Sequence, residues 1–288
     1  MGGTITLRAG DLSLRLGCRG GVILDFRLRD RPLLRPAAEA AAPGDSACFP
    51  LLPLGNRIRD NRLAFGGRVH EVAPNALPEP LHLHGMGWLA DWTVVATDRT
   101  FARLVHRHDG SNLPHRYTAV QTFALAADGL RMDLSLTNTG DAVLPFGIGW
   151  HSFVAAGACL TAPARGFWTE GADHLPAERR TLPEDLDFRA PRPLPARWIN
   201  NAFDGWTGVA HLDWPDCSLT MTADPIFGCY QLYQPAGDAF FAFEPMSHLP
   251  DGLSMPDLGG LVPLAPGESL AGGMTLAPCS LSAAGDPS

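Results

Sequence analysis

The chain has 288 residues, 45% hydrophobic and 18% charged, with a net charge of -8. That length buries a substantial core as one large or two small domains. The negative balance argues against nucleic acid, whose phosphates need a basic face, and the absence of lysine excludes Schiff-base and P-loop lysine chemistry.

The six cysteines are scattered without a Cys-x-x-Cys pair, so neither a zinc site nor a disulfide framework is expected. Met1-Gly2-Gly3-Thr4-Ile5 lacks the basic region and apolar core of a signal peptide. No apolar run approaches the roughly 20 residues needed to span a bilayer. A reduced, cytoplasmic protein without membrane contact is the expectation.

Taken in order, the chain is dominated by a period of two. Leu12, Leu14 and Leu16 alternate with Ser13 and Arg15, and Gly20-Gly21 turns into a second apolar run over 22–26. Residues 35–42 are alanine-rich and predict at most a turn or two of helix. Phe65-Gly66-Gly67-Arg68-Val69 reads as a tight hairpin, and 92–96 as a strand. The clearest alternation covers 130–137, a half-buried antiparallel strand. Turn sequences bound it on both sides, so 117–125 before it and 142–146 after it are expected to complete a meander. Residues 163–197 and 247–260 read as surface loops. Further strands are expected at 217–221, 229–233 and 274–276. With 31 glycines and 26 prolines for turns, and no repeat or flexible linker, one antiparallel β-sandwich spanning 1–288 is predicted.

Two apolar stretches each carry a titratable group. Phe241-Ala242-Phe243-Glu244-Pro245-Met246-Ser247-His248 carries a carboxylate at the end of a buried-looking strand, which is either a solvated strand end or a desolvated base. Pro145-Phe146-Gly147-Ile148-Gly149-Trp150-His151-Ser152-Phe153 offers, at His151, either a hydrogen-bonded core histidine or the acid of an acid–base pair. Arg57, in Asn56-Arg57-Ile58, reads as a solvated arginine or a hydroxyl contact. His82 and His84 share a strand face as a potential metal pair, but no third ligand has recognisable spacing. Trp198 to Trp206 mixes amides with tryptophans, a composition suited to a polyhydroxylated ring. No nucleophile elbow, dinucleotide fingerprint or phosphate loop is present. The inventory suits proton transfer on a neutral, hydroxyl-rich molecule.

These stretches, in this order, resemble the aldose 1-epimerase (galactose mutarotase) family. The resemblance rests on Asn56-Arg57-Ile58 before a Gly-Gly hairpin, Leu83-His84-Gly85, the Phe-Gly-x-Gly-x-His run ending at His151, Glu244-Pro245-Met246 and the closing Pro266-Gly267-Glu268. It implies an all-β fold, a large antiparallel β-supersandwich, with a monosaccharide as partner and neither cofactor nor metal. By the same resemblance, Glu244 matches the general base at the C1 hydroxyl and His151 the general acid at the ring oxygen. His84, Asn56 and Arg57 match sugar contacts, and Gln231 matches a sugar-binding glutamine. Asn200 stands where many members carry an aspartate; binding is expected to survive with altered sugar preference, and Asp204 is a candidate replacement.

The expected activity is interconversion of the α and β anomers of a free aldose. Two alternatives stay open. Convergence of Arg57, Arg59 and Arg62 would favour a hexose-6-phosphate 1-epimerase. The change at Asn200 would fit a sugar-binding or sensing protein without chemistry. Oligomeric state is not legible.

Overall fold

The computed structural model describes residues 3–39, 41–237 and 240–280. Met1 and Gly2, where the targeting-signal reading begins, lie outside them. Among the described residues the strands form an 11-stranded sheet, a 9-stranded sheet and three two-stranded ribbons. The larger sheet runs Thr4–Ala9, Leu12–Gly17, Val22–Leu28, Cys48–Leu51, Gly149–Ala155, Phe240–Met246, Cys229–Gln234, Ile199–Asp204, Gly166–Glu170 and Pro176–Arg180, with Arg31–Pro32 paired to the third strand. The centre of the smaller sheet is Phe101–Asp109, Arg116–Ala126, Gly129–Asn138, Ser269–Ser280 and Cys217–Ala223. Neighbouring strands in both sheets are antiparallel.

The alternating pattern decides which side chains face the core. Leu130, Met132, Leu134 and Leu136 of the smaller sheet pack in one cluster with Trp150, Phe203, Tyr230, Leu232 and Phe243 of the larger. Phe243 is fully removed from water, worth about 1.5–3 kcal/mol. A one-residue slip would exchange it for Glu244, so register is strongly specified.

The larger sheet carries a second apolar cluster on its other face, including Phe49, Leu51, Trp88, Phe153, Ala242 and Met246. Strands covered on both sides have no wet face. That is why Phe240–Met246 and Gly149–Ala155 are buried nearly throughout and read as continuous apolar runs.

Three expectations need correction. Among the described residues of 35–42 there is no helix, only a turn closed by Ala41 N–H on the Ala38 carbonyl before a short 3-10 turn, Pro43–Asp45. Pro36 and Pro43 bracket a stretch too short to nucleate helix. Leu144–Phe146 does not extend the meander; it pairs with Val262–Leu264, while Ser269–Ser280 takes the place beside Gly129–Asn138. The Asn138 side chain donates to the Ala142 and Leu264 carbonyls, fixing the turn that leads the chain out of the sheet. Residues 163–197 are not merely a surface loop: Gly166–Glu170 pairs with Ile199–Asp204, and Leu175, Leu186 and Phe188 are buried. The hairpin at Gly66-Gly67 forms as expected, both glycines having positive φ. Among the described residues no helix is long and apolar enough to cross a membrane.

Candidate active site

The site lies on the outer face of the larger sheet, and strand register builds its floor. Phe49 pairs with His151, and Glu244 with Gln231. The register that sets Gly149 against Met246 and Ser152 against Phe243 puts His151 opposite Glu244. Four side chains thus form one row across four strands, because residues level with one another in a sheet share a face. A parallel row carries Asn200, Tyr233 and Ala242. The cavity above holds about 370 Å³, at the low end of small-molecule sites.

Segments 52–57 and 79–89 close one side. Gly85 has φ +65°, and a Cβ there would meet the Leu52 carbonyl oxygen at 2.4 Å, so Leu83-His84-Gly85 requires glycine at its end. Asn56 adopts φ +61°, a conformation asparagine tolerates. Its N–H donates to His84 Nδ1 at 3.1 Å, and the His84 N–H donates to the Asn56 carbonyl at 2.9 Å. His84 Nδ1 is therefore an acceptor, leaving the Nε2 N–H of the neutral ring as a donor. Behind this loop, buried His248 accepts the Gly55 N–H through Nε2 at 2.9 Å.

His151 Nε2 lies 3.2 Å from Glu244 Oε1. The His151 ring stacks on Phe49 at 4.4 Å, and Phe49 stacks on Trp88 at 5.1 Å. Burial, then the Arg35 charge, pushes His151 down to about 3. Burial pushes Glu244 up to about 8 against the pull of Arg57. Both shifts favour the uncharged pair. Glu244 Oε2 and Gln231 Oε1 are buried without a hydrogen-bond partner, two acceptors free for donors from a ligand.

His84, His151 and Glu244 bring ligand-type atoms within 4.8 Å of one another. The trio suits a metal poorly, since Asn56 occupies Nδ1 of His84 and the neutral ring carries its proton on Nε2. His82 does not join it: its Nδ1 bonds the Ala73 carbonyl.

Of the residues singled out from the sequence, Asn56, Arg57, His84, His151, Asn200 and Glu244 line the cavity. Gln231 lines a small recess that shares Asn56 and Asn200 with it. Trp198 is in the wall, but Trp206 is a core residue packed on Tyr230 and Phe243. Asp204 does not stand in for a carboxylate at Asn200; it binds Arg179 and the Trp168 indole. The three arginines diverge. Arg57 pairs with Glu79 at 2.7 Å, Arg59 with Asp251 at 2.5 Å, and Arg62 with Glu71 at 3.0 Å. Sequence reasoning missed Phe49, Trp88, Glu79, Glu170, His174 and His248, none of which stands in a motif that announces a role. Only His248, at the end of the Glu244 stretch, had a signal within reach.

An antiparallel supersandwich of this order is the galactose mutarotase-like fold. The family model for aldose 1-epimerase matches residues 3–277. The chain belongs to the aldose 1-epimerase family. It is similar to YphB of Escherichia coli (strain K12), 39% identical over 283 residues, 94% of this chain and 97% of that one. The crystal structure of b2544 from E. coli K12 is 38% identical with a TM-score of 0.94, covering 98% of this chain and 100% of that one. The GalM/aldose epimerase homologue from C. elegans shares the fold at 17% identity, with a TM-score of 0.84 over 98% of this chain and 100% of that one.

Proposed function

We propose that this protein is a mutarotase acting on a free aldose. Glu244 takes the proton from the C1 hydroxyl as that oxygen becomes a carbonyl. The C1–O5 bond breaks, and His151 gives its proton to the ring oxygen. Rotation about C1–C2 and reversal of both transfers close the ring on the other anomer. His84, through its Nε2 N–H, and Asn56, Arg57, Asn200 and Gln231 hold the hydroxyls. No step draws on a cofactor or a metal.

The observation that carries this reading is the Glu244–His151 pair at 3.2 Å on the floor of the cavity. Both reacting oxygens of a cyclic aldose are bonded to C1, so acid and base must stand side by side. Base and acid contributions of this kind are worth about 10²–10⁴-fold each. The phosphorylated-sugar alternative loses support because Arg59 and Arg62 are engaged by carboxylates elsewhere.

The test is NMR exchange between α and β anomers for a panel of aldoses, with wild type and Glu244→Gln side by side. Exchange in wild type that falls to the buffer rate in the variant is expected. Buffer-rate exchange in both, with a sugar still bound, would instead favour a sugar-binding protein without chemistry.

A further inference from the structure

Three side chains of the cavity wall lead to one carboxylate that stands behind them. Glu170 Oε1 accepts from Asn200 Nδ2 at 2.7 Å and from His174 Nδ1 at 2.5 Å, and Oε2 accepts from Trp198 Nε1 at 2.7 Å. Asn200, His174 and Trp198 all line the cavity; Glu170 does not. The Glu170 side chain is 22% exposed. Burial alone would raise its pKa, but the bonds from Asn200, His174 and Trp198 outweigh that and hold it below the usual range.

An ionised carboxylate only accepts hydrogen bonds, and the consequence runs inward. Asn200 must turn Nδ2 toward Glu170, so its Oδ1 faces the sheet. There it accepts from Gln231 Nε2 at 2.6 Å. Gln231 is left with its carbonyl Oε1 as its unpaired atom, buried and level with Glu244 on the next strand. Each amide sense is dictated by the group before it, which removes the usual ambiguity of amide orientation.

We infer that Glu170 is a positioning residue: through Asn200 it fixes Gln231 as a hydrogen-bond acceptor beside Glu244 and so selects a sugar whose hydroxyl donates there. The kinetic part of this inference rests on the mutarotase reading; the hydrogen-bond chain does not. With Glu170 gone, either amide is free to rotate, and Gln231 presents an N–H as readily as a carbonyl.

Two measurements test it. In steady-state anomer exchange, Glu170→Leu raises KM about five- to tenfold with kcat within about threefold, the loss expected of one or two oriented hydrogen bonds. Asn200→Asp sets two carboxylates in contact and is similarly impaired. The double variant Asn200→Asp/Glu170→Gln exchanges amide and carboxylate, keeps Gln231 donating to residue 200, and has a KM at least about threefold lower than Asn200→Asp alone. An unchanged KM in Glu170→Leu, or a double variant no better than Asn200→Asp, overturns the inference. Should wild type exchange no sugar, the mutarotase reading fails and the side-chain amides decide. Slow hydrogen exchange at Asn200 Nδ2 and Gln231 Nε2 in wild type that becomes fast in Glu170→Leu supports the chain; equal rates in both proteins overturn it.

Discussion

His151 Nε2 stands 3.2 Å from Glu244 Oε1 because strand register puts the two residues opposite each other on neighbouring strands. Neither is carried by a loop. A pair fixed this way, and buried, behaves as one titrating unit. Holding one proton, it has two arrangements: protonated Glu244 with neutral His151, or carboxylate with imidazolium. Burial favours the first. Ring opening as proposed converts the second into the first, so the chemical step runs toward the arrangement that the buried floor prefers.

The pH profile follows from that single proton. The pair loses it as pH rises through about 8, the value to which burial raises Glu244. It takes up a second only as pH falls toward about 3, where burial holds His151. We predict that kcat/KM declines above about pH 8 and shows no acid limb near 6.5, the range of an ordinary histidine. Exchange NMR between pH 5 and 9.5 measures this directly. A limb centred at 6.5 would mean that the pair does not titrate as a unit.

Glu244→Gln separates function from stability. Activity is expected to fall about 10²–10⁴-fold. The folded pKa of Glu244 is raised to about 8 from the ordinary 4.5, so its proton stabilises the fold fully below 4.5, and that stabilisation is lost as pH rises through 8. Across that window wild type loses up to about 1.4 kcal/mol per pH unit from this group, and the glutamine variant does not. Urea unfolding of both proteins at pH 5, 6.5 and 8 should show the variant gaining on wild type. Parallel curves would contradict the assigned burial of the acid.

How much of this was legible in the sequence depends on which face of the sheet is considered. The core face is read from alternation, as at Leu130 to Leu136. Glu244 and His151 could be picked out because each is a lone titratable group in an apolar run. Glu170 could not: it sits in a stretch rich in arginine, proline and glutamate, and its role arises from pairing with Ile199–Asp204 across 30 residues of chain. Arg57, Arg59 and Arg62 mislead for a related reason. Proximity in sequence says nothing of the carboxylates each meets, and Asp251 lies 192 residues from Arg59. The closing Pro266-Gly267-Glu268 is a turn that docks on Asn138, away from the cavity.

Acid stability reports the buried histidines. Burial lowers His115 and His248 to about 4 each from the ordinary 6.5. Their neutral forms stabilise the fold above 6.5, and this is lost as pH falls through about 4, since the unfolded chain binds protons first. Each contributes a slope of up to about 1.4 kcal/mol per pH unit. Glu244 acts with the opposite sign in part of this range, so the Glu244→Gln background isolates the histidines. There the urea midpoint should fall steadily from pH 7 to 5, and a flat midpoint would sink the prediction.

Discrimination against phosphorylated sugars is expected from Glu79. It neutralises Arg57, the arginine that reaches the cavity, at 2.7 Å. A phosphate dianion would have to displace that carboxylate or meet its charge. We predict at least tenfold lower kcat/KM for a 6-phosphate than for the parent sugar, and a narrower gap in Glu79→Gln. Equal turnover of both sugars by wild type would reverse the argument.

The loop that carries Asn56 is held from behind, and Gly147 is where this can be tested. A Cβ at Gly147 would lie 2.5 Å from His248 Nδ1, with two ring carbons within 2.9 Å. The ring must move, and His248 Nε2 is the acceptor for the Gly55 N–H. Gly55 precedes Asn56, whose N–H fixes the tautomer of His84, so the disturbance reaches the cavity wall two hydrogen bonds away. Gly147→Ala is expected to cost about 1–3 kcal/mol, typical of overpacking in a filled core. KM should rise more than kcat falls, because in the proposed reaction the displaced groups hold sugar rather than move protons. Gly228→Ala is the control: nothing lies within 4 Å of a Cβ there, and its stability should stay within about 0.5 kcal/mol of wild type. Were both variants to behave like wild type, His248 would have room to shift without releasing Gly55, and the loop would be held by the Asn56–His84 bonds and by the bonds to the Leu52 and Pro53 carbonyls.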